Sequence, residues 1–119
     1  MNLLNLETSK SVKIKGIDFK IKAILNREEI EIGVKGGFLR NGLSVESMDM
    51  KSNMSIIKNT TIDVCAELPD KIGDWEIDTA ADIADTDLRD QLYDAIVKFT
   101  SSIEKKLKKN KSYEGSSKA

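Results

Sequence analysis

Apolar and polar residues alternate on either side of Lys15-Gly16: Val12, Ile14, Ile17, Phe19 and Ile21 are separated by lysines and Asp18. A period of two marks a strand with one covered face. If Lys15-Gly16 is a two-residue turn, Ile14 falls opposite Ile17 and Val12 opposite Phe19. Every apolar side chain then lies on one face, and glycine at the second turn position suits a type I′ hairpin. Two strands alone are marginal in water, so the apolar face predicts helices packed against it.

The period then changes. Asn26 is a candidate helix cap, and Glu29 three residues on completes a capping-box-like pattern. Leu25 and Ile30 stand at hydrophobic-staple positions, and Glu28, Glu29 and Glu31 put negative charge at the positive helix end. Ile30, Val34 and Phe38 follow at intervals of four and predict one helix face. Asn41-Gly42 is a stop, with Leu43 placed for the apolar contact after a Schellman ending. Gly33, Gly36 and Gly37 each cost roughly 1 kcal/mol relative to alanine inside a helix. Glu-Ile-Glu-Ile-Gly-Val also alternates as a strand would, so residues 28–38 carry both patterns, with helix preferred.

A second helix is expected from near Ser47 to Leu68, where Met50, Met54, Ile57, Thr61, Val64 and Leu68 recur every three or four residues. Pro69 ends it. Residues 70–76, with the sole tryptophan Trp75, read as a loop. Asp78 is expected to cap a short helical turn through Ile83, and Asp85 or Thr86 to cap the last helix. That helix carries the stripe Leu88, Leu92, Ile96, Phe99, Ile103 and Leu107, with Lys105, Lys106, Lys108 and Lys109 at its negative end. From about Asn110 the Ser/Lys/Gly composition reads as disorder. The expected fold is α+β: an N-terminal β-hairpin packed on three to four mostly amphipathic helices, with a disordered lysine-rich C-terminal tail. Residues 1–9 form an extension, 10–109 a single small domain and 110–119 the tail.

Composition narrows the function. At 119 residues the chain holds one domain, and with few aromatics its core is mainly aliphatic. The one cysteine, Cys65, excludes an internal disulfide and fits a reducing compartment. No apolar run approaches the roughly 18 residues of a membrane span, and the amino terminus lacks the pattern of a secretion signal. Net charge is −1, but residues 63–97 hold eleven acids against Lys71 and Arg89. Residues 98–119 hold seven lysines against Glu104 and Glu114. This polarity fits either a charged partner or a solvated acidic face beside a loose tail.

Candidate chemistry is thin. With no histidine, the commonest general base and nitrogen ligand are missing. Cys65 sits between Val64 and Ala66 with no activating neighbour, which favours a structural role. Asp74, Glu76, Asp78 and Asp82 miss the calcium-loop pattern, since Thr79 and Asp85 occupy the places for its glycine and its glutamate. Gly33-Val-Lys-Gly-Gly37 lacks the lysine-serine ending of a phosphate loop. Lys105 to Lys111 could contact phosphates but have no aromatic stacking platform beside them, and the domain is acidic, which disfavours nucleic acid. These residues form no catalytic, cofactor or metal site, and an enzyme is not expected. Trp75 and Tyr93 are of the type favoured at interface centres, against an ordinary role in the core or a loop.

Several stretches resemble small tail-assembly proteins of long-tailed bacteriophages, of the tail assembly chaperone type. They are the hairpin with Arg27-Glu-Glu-Ile-Glu-Ile-Gly-Val34, then Thr61-Ile-Asp-Val-Cys-Ala-Glu-Leu-Pro69, and Asp85-Thr-Asp-Leu-Arg-Asp-Gln-Leu-Tyr-Asp-Ala-Ile-Val-Lys-Phe99. The resemblance covers roughly residues 12–103 and rests on patterns of residue type; Gly36-Gly37 departs from it. It implies a non-enzymatic protein in the bacterial host cytoplasm that binds a tape-measure or tail-tube protein and helps the tube assemble. Ile30, Val34 and Phe38, or Trp75 and Tyr93, are then the candidate partner contacts. The other expectations are a virion structural subunit, such as a head–tail joining protein, or a small regulator of a host protein or nucleic acid. Self-association stays open; a membrane partner is not expected.

Overall fold

The computed structural model describes residues 7–36 and 50–115, with side chains described for 7–36 and 53–108. Strands β1 (Ser9–Ile14) and β2 (Ile17–Lys22) form the expected hairpin. Val12 pairs with Phe19 and Ile14 with Ile17. Lys15 (φ 50°) and Gly16 (φ 80°) are both left-handed, as a type I′ turn demands. Ile14, Phe19 and Ile21 are buried, while Val12 and Ile17 pack partly against the same core.

Helix α1 (Asn26–Lys35) resolves the ambiguity of residues 28–35 in favour of helix. Its start differs by one residue from the expected cap. Leu25 is the N-cap and Asn26 is already helical, because Glu28 Oε1 reaches back to accept the Leu25 N–H at 3.1 Å. The first helical bond then runs from Glu29 N–H to Leu25 C=O. Of the two staple positions, Leu25 packs on the core, whereas Ile30 is 53% exposed. It is Ile32 that α1 turns towards the core. Phe38 and the Asn41-Gly42 stop lie outside the described residues.

Helix α2 (Met50–Cys65) packs against both α1 and α3. It ends three residues before the expected Leu68, because Ala66–Glu67 form strand β3. Ala66 pairs with Ile21 and Glu67 with Lys20, so the strand order is β1-β2-β3. Satisfying the free edge of β2 there outweighs continuing the helix. Met54 is exposed rather than covered, while Thr60, Thr61, Ile62, Val64 and Cys65 are buried. The covered arc is wide at the end that meets sheet and helices together. The start expected near Ser47 lies outside the described residues.

Residues 70–76 are a small hairpin, not a loop. Strands β4 (Lys71–Ile72) and β5 (Trp75–Glu76) pair antiparallel, and Ile77 N–H donates to Asp70 C=O at 2.8 Å. Gly73 (φ 61°) supplies the left-handed residue at the first turn position. A 3₁₀ turn, Ala80–Asp82, follows with Thr79 rather than Asp78 as its cap.

Helix α3 (Thr86–Gly115) crosses the hairpin and α2. Leu88, Leu92, Ile96, Phe99 and Ile103 are buried as the stripe predicts, with Leu107 packed at the margin. Asp85 is the cap: its Oδ1 accepts the N–H groups of Asp87 (3.0 Å) and Leu88 (3.1 Å). The fold is therefore α+β, a hairpin on three α-helices and one 3₁₀ turn among the described residues. The helix is described through Gly115, so the expected tail from about Asn110 falls partly on α3 and partly on residues 116–119, outside the described residues.

Candidate partner-binding surface

The exposed side of α1 arises from its own spacing. Ile30 and Val34 lie four residues apart, on one face, and are 53% and 61% exposed. Ile32 lies on the other side, against the core. A short helix thus covers one apolar residue and leaves two in solvent. Trp75, 57% exposed, sits on β5 opposite Ile72, where the Gly73 turn holds it out.

Tyr93 has a different setting. It packs partly against the core, with Lys58 Nζ 5.8 Å from its ring centroid. The same Lys58 lies 3.3 Å from Asp90 Oδ1, which also accepts Arg89 Nε at 2.8 Å. Arg89 in turn donates to Asn59 Oδ1 at 3.0 Å. The guanidinium beside it holds the Asp90 carboxyl below the usual carboxylate range. Tyr93 belongs to this polar seam between α2 and α3.

Part of the acidic block serves the fold. Asp63 Oδ1 accepts Ala80 N–H (2.7 Å), and Asp82 Oδ2 accepts the N–H groups of Asp78 and Thr79 (both 2.9 Å). Those two donors hold the Asp82 carboxyl low. Lys15 Nζ, at the tip of the first hairpin, lies 2.8 Å from Asp85 Oδ2 and 3.0 Å from Asp87 Oδ2. The Lys15 bond and the capped N–H groups hold Asp85 low as well, and the two carboxylates raise Lys15. Glu67, Asp70, Asp74, Glu76, Asp78 and Asp94 remain exposed. Among the described residues no three His, Cys, Asp or Glu side chains are grouped to hold a metal ion.

Cys65 is buried at the junction of α2 and β3, and burial, aided by the negative charge of Glu28, pushes its thiol up to about 12. It is therefore a protonated thiol at neutral pH, not a nucleophile.

Sequence reasoning missed a second surface. The residues that exchange hydrogen bonds with β2 are Ile14, Val12 and Lys10, and the alternation continues in the 2.9 Å bond from Ala23 N–H to Thr8 C=O. Ser9, Ser11 and Lys13 thus aim their backbone groups away from β2, and no other described strand pairs with them. A groove between this edge and α3 is lined by Val12, Lys13, Asp94, Ala95 and Lys98. The alternation marks β1 as a strand, but only tertiary structure decides which side of the hairpin the third strand takes.

Among the described residues no helix is long and apolar enough to cross a membrane. Compared with protein-family models, curated proteins and solved structures, the chain matches none.

Proposed function

We propose that this chain is a non-enzymatic adaptor that masks an apolar helical stripe on another protein, acting as a tail-assembly chaperone for a long-tailed bacteriophage. The observation that carries the adaptor reading is the uncovered ridge of Ile30 and Val34 on a helix docked by its other side. Paired anchors four residues apart suit a helix-to-helix contact. Trp75 is a second anchor, being large, rigid and exposed. The phage assignment rests on the resemblance in the hairpin with α1, the α2–β3 segment and α3. The partner it implies is the long helical tape-measure protein, before tube subunits cover it. The solvent-facing acids keep such a complex soluble and steer a basic partner.

The test is co-purification of the tagged chain from phage-producing cells, with purified particles probed for the same chain. Capture of a long helical tail protein, with the chain missing from particles, is the expected result. Presence in particles would make it a virion subunit instead. If the chain neither captures such a protein nor occurs in particles, the phage reading is removed. Ile30→Asp combined with Val34→Asp should abolish capture while lowering stability by no more than about 1 kcal/mol, the sum expected for two exposed sites.

A further inference from the structure

The free edge of β1 has the features of a strand-addition site. Three consecutive outward-facing residues, Ser9, Ser11 and Lys13, offer N–H and C=O groups with no partner among the described residues. All three are exposed. Such an edge templates another strand unless it is covered or blocked. Here the edge opens onto the groove against α3, which gives an incoming strand a floor as well as a ladder.

The two sides of that strand would meet different chemistry. On the α3 side lie Val12 and Ala95, both packed on the core, and Lys10, whose ammonium rests 5.0 Å from the Phe99 ring centroid. Lys98 and Asp94 flank them. Small apolar side chains fit this floor. On the other side the sheet presents Lys13, Lys20 and Lys22, with Asp18 as the one acid on β1 and β2. Lys22 is answered by Glu28 at 3.5 Å, and Lys13 only loosely by Asp18 at 3.8 Å. Lys13 is on β1 itself, the strand an added segment would neighbour, while Lys20 and Lys22 stand one strand further on. Opposite charges across neighbouring strands are favourable and like charges are not. A second copy of β1 would lay one basic strand on another, so charge disfavours it.

We propose that β1 binds an extended segment of a partner protein by strand addition, with small apolar residues towards α3 and acidic residues towards Lys13. This does not rest on the α1 ridge or on the phage assignment, since the α1 substitutions leave β1 untouched.

The probe is a short blocked peptide alternating glutamate and valine, titrated into the full chain with amide shifts followed by NMR. Saturable shifts centred on Ser9, Ser11 and Lys13 are expected. Replacing glutamate by lysine, or methylating alternate peptide nitrogens, should weaken binding about tenfold or more. Raised salt should weaken it too, because the charges are exposed. Ser11→Pro removes an outward N–H without removing a bond to β2, so the fold should persist while binding is lost. Lys13→Glu, a milder change, should weaken the acidic peptide and favour the lysine peptide. The proposal is overturned if no peptide shifts the edge, or if shifts centre on α1. Equal binding of the methylated peptide overturns it as well. So do β1 shifts that depend on protein concentration without peptide, which would identify a second copy as the occupant.

Discussion

Thr100 joins the hairpin exit to α3 through one hydroxyl. It donates to Ile96 C=O and accepts Ile24 N–H, both at 2.8 Å, and its side chain is buried. Valine has nearly the same shape but no acceptor. Thr100→Val should therefore leave the Ile24 N–H without a partner and cost about 1–3 kcal/mol, read as a lowered midpoint in urea. Thr100→Ser keeps the acceptor and should recover most of the hydrogen-bond part of that loss.

Among the elements, the hairpin depends on its turn most directly. Gly16 has φ 80°, and a β-carbon there would meet no atom within 4 Å, so the penalty for substitution is backbone strain alone. Gly16→Val should cost about 1–2 kcal/mol, measurable as a lower thermal midpoint. The same element was fully legible in the sequence, because turn and alternation each fix the register the other requires. The α3 stripe was legible for a similar reason: five buried residues repeat at helical spacing without interruption. The end of α2 was not, since Leu68 continues its periodicity and only the free edge of β2 makes Ala66–Glu67 a strand. Strands β4 and β5 are two residues each, too short to show any period. For α1 the spacing of Ile30 and Val34 identified a face but could not say whether that face meets the core or solvent. The edge of β1 lay further from reach, because strand order is decided by residues more than forty positions away.

Across the whole molecule, hydrogen-bonded carboxylates contribute to the loss of stability in acid. Asp82, Asp85 and Asp90 all titrate below their ordinary 3.8 in the folded chain. A depressed folded value means the unfolded chain takes up protons first, so this contribution is present above 3.8 and lost as pH falls through the lowered values. The alkaline side has the opposite sign. Cys65 ionises near 9.0 when unfolded but near 12 when folded, so its contribution is full below 9.0 and declines as pH rises towards 12. Lys15 is raised above 10.5 by its two carboxylate partners, so its contribution also declines as pH rises past 10.5. Thermal midpoints measured against pH should form a plateau between these limits. Cys65→Ala should remove the thiol's share of the alkaline decline while leaving the acid limb in place.

That same cysteine gives the molecule a built-in clock. It is the sole thiol, it is buried, and it stands at the joint where α2 gives way to the third strand. Because Cys65 is 1% exposed, a disulfide reagent in solution should react with it when its surroundings open. At high reagent concentration the labelling rate should become independent of the reagent and equal the opening rate itself. Each captured molecule then records one opening of the structure around Cys65, without any probe having been added to the chain.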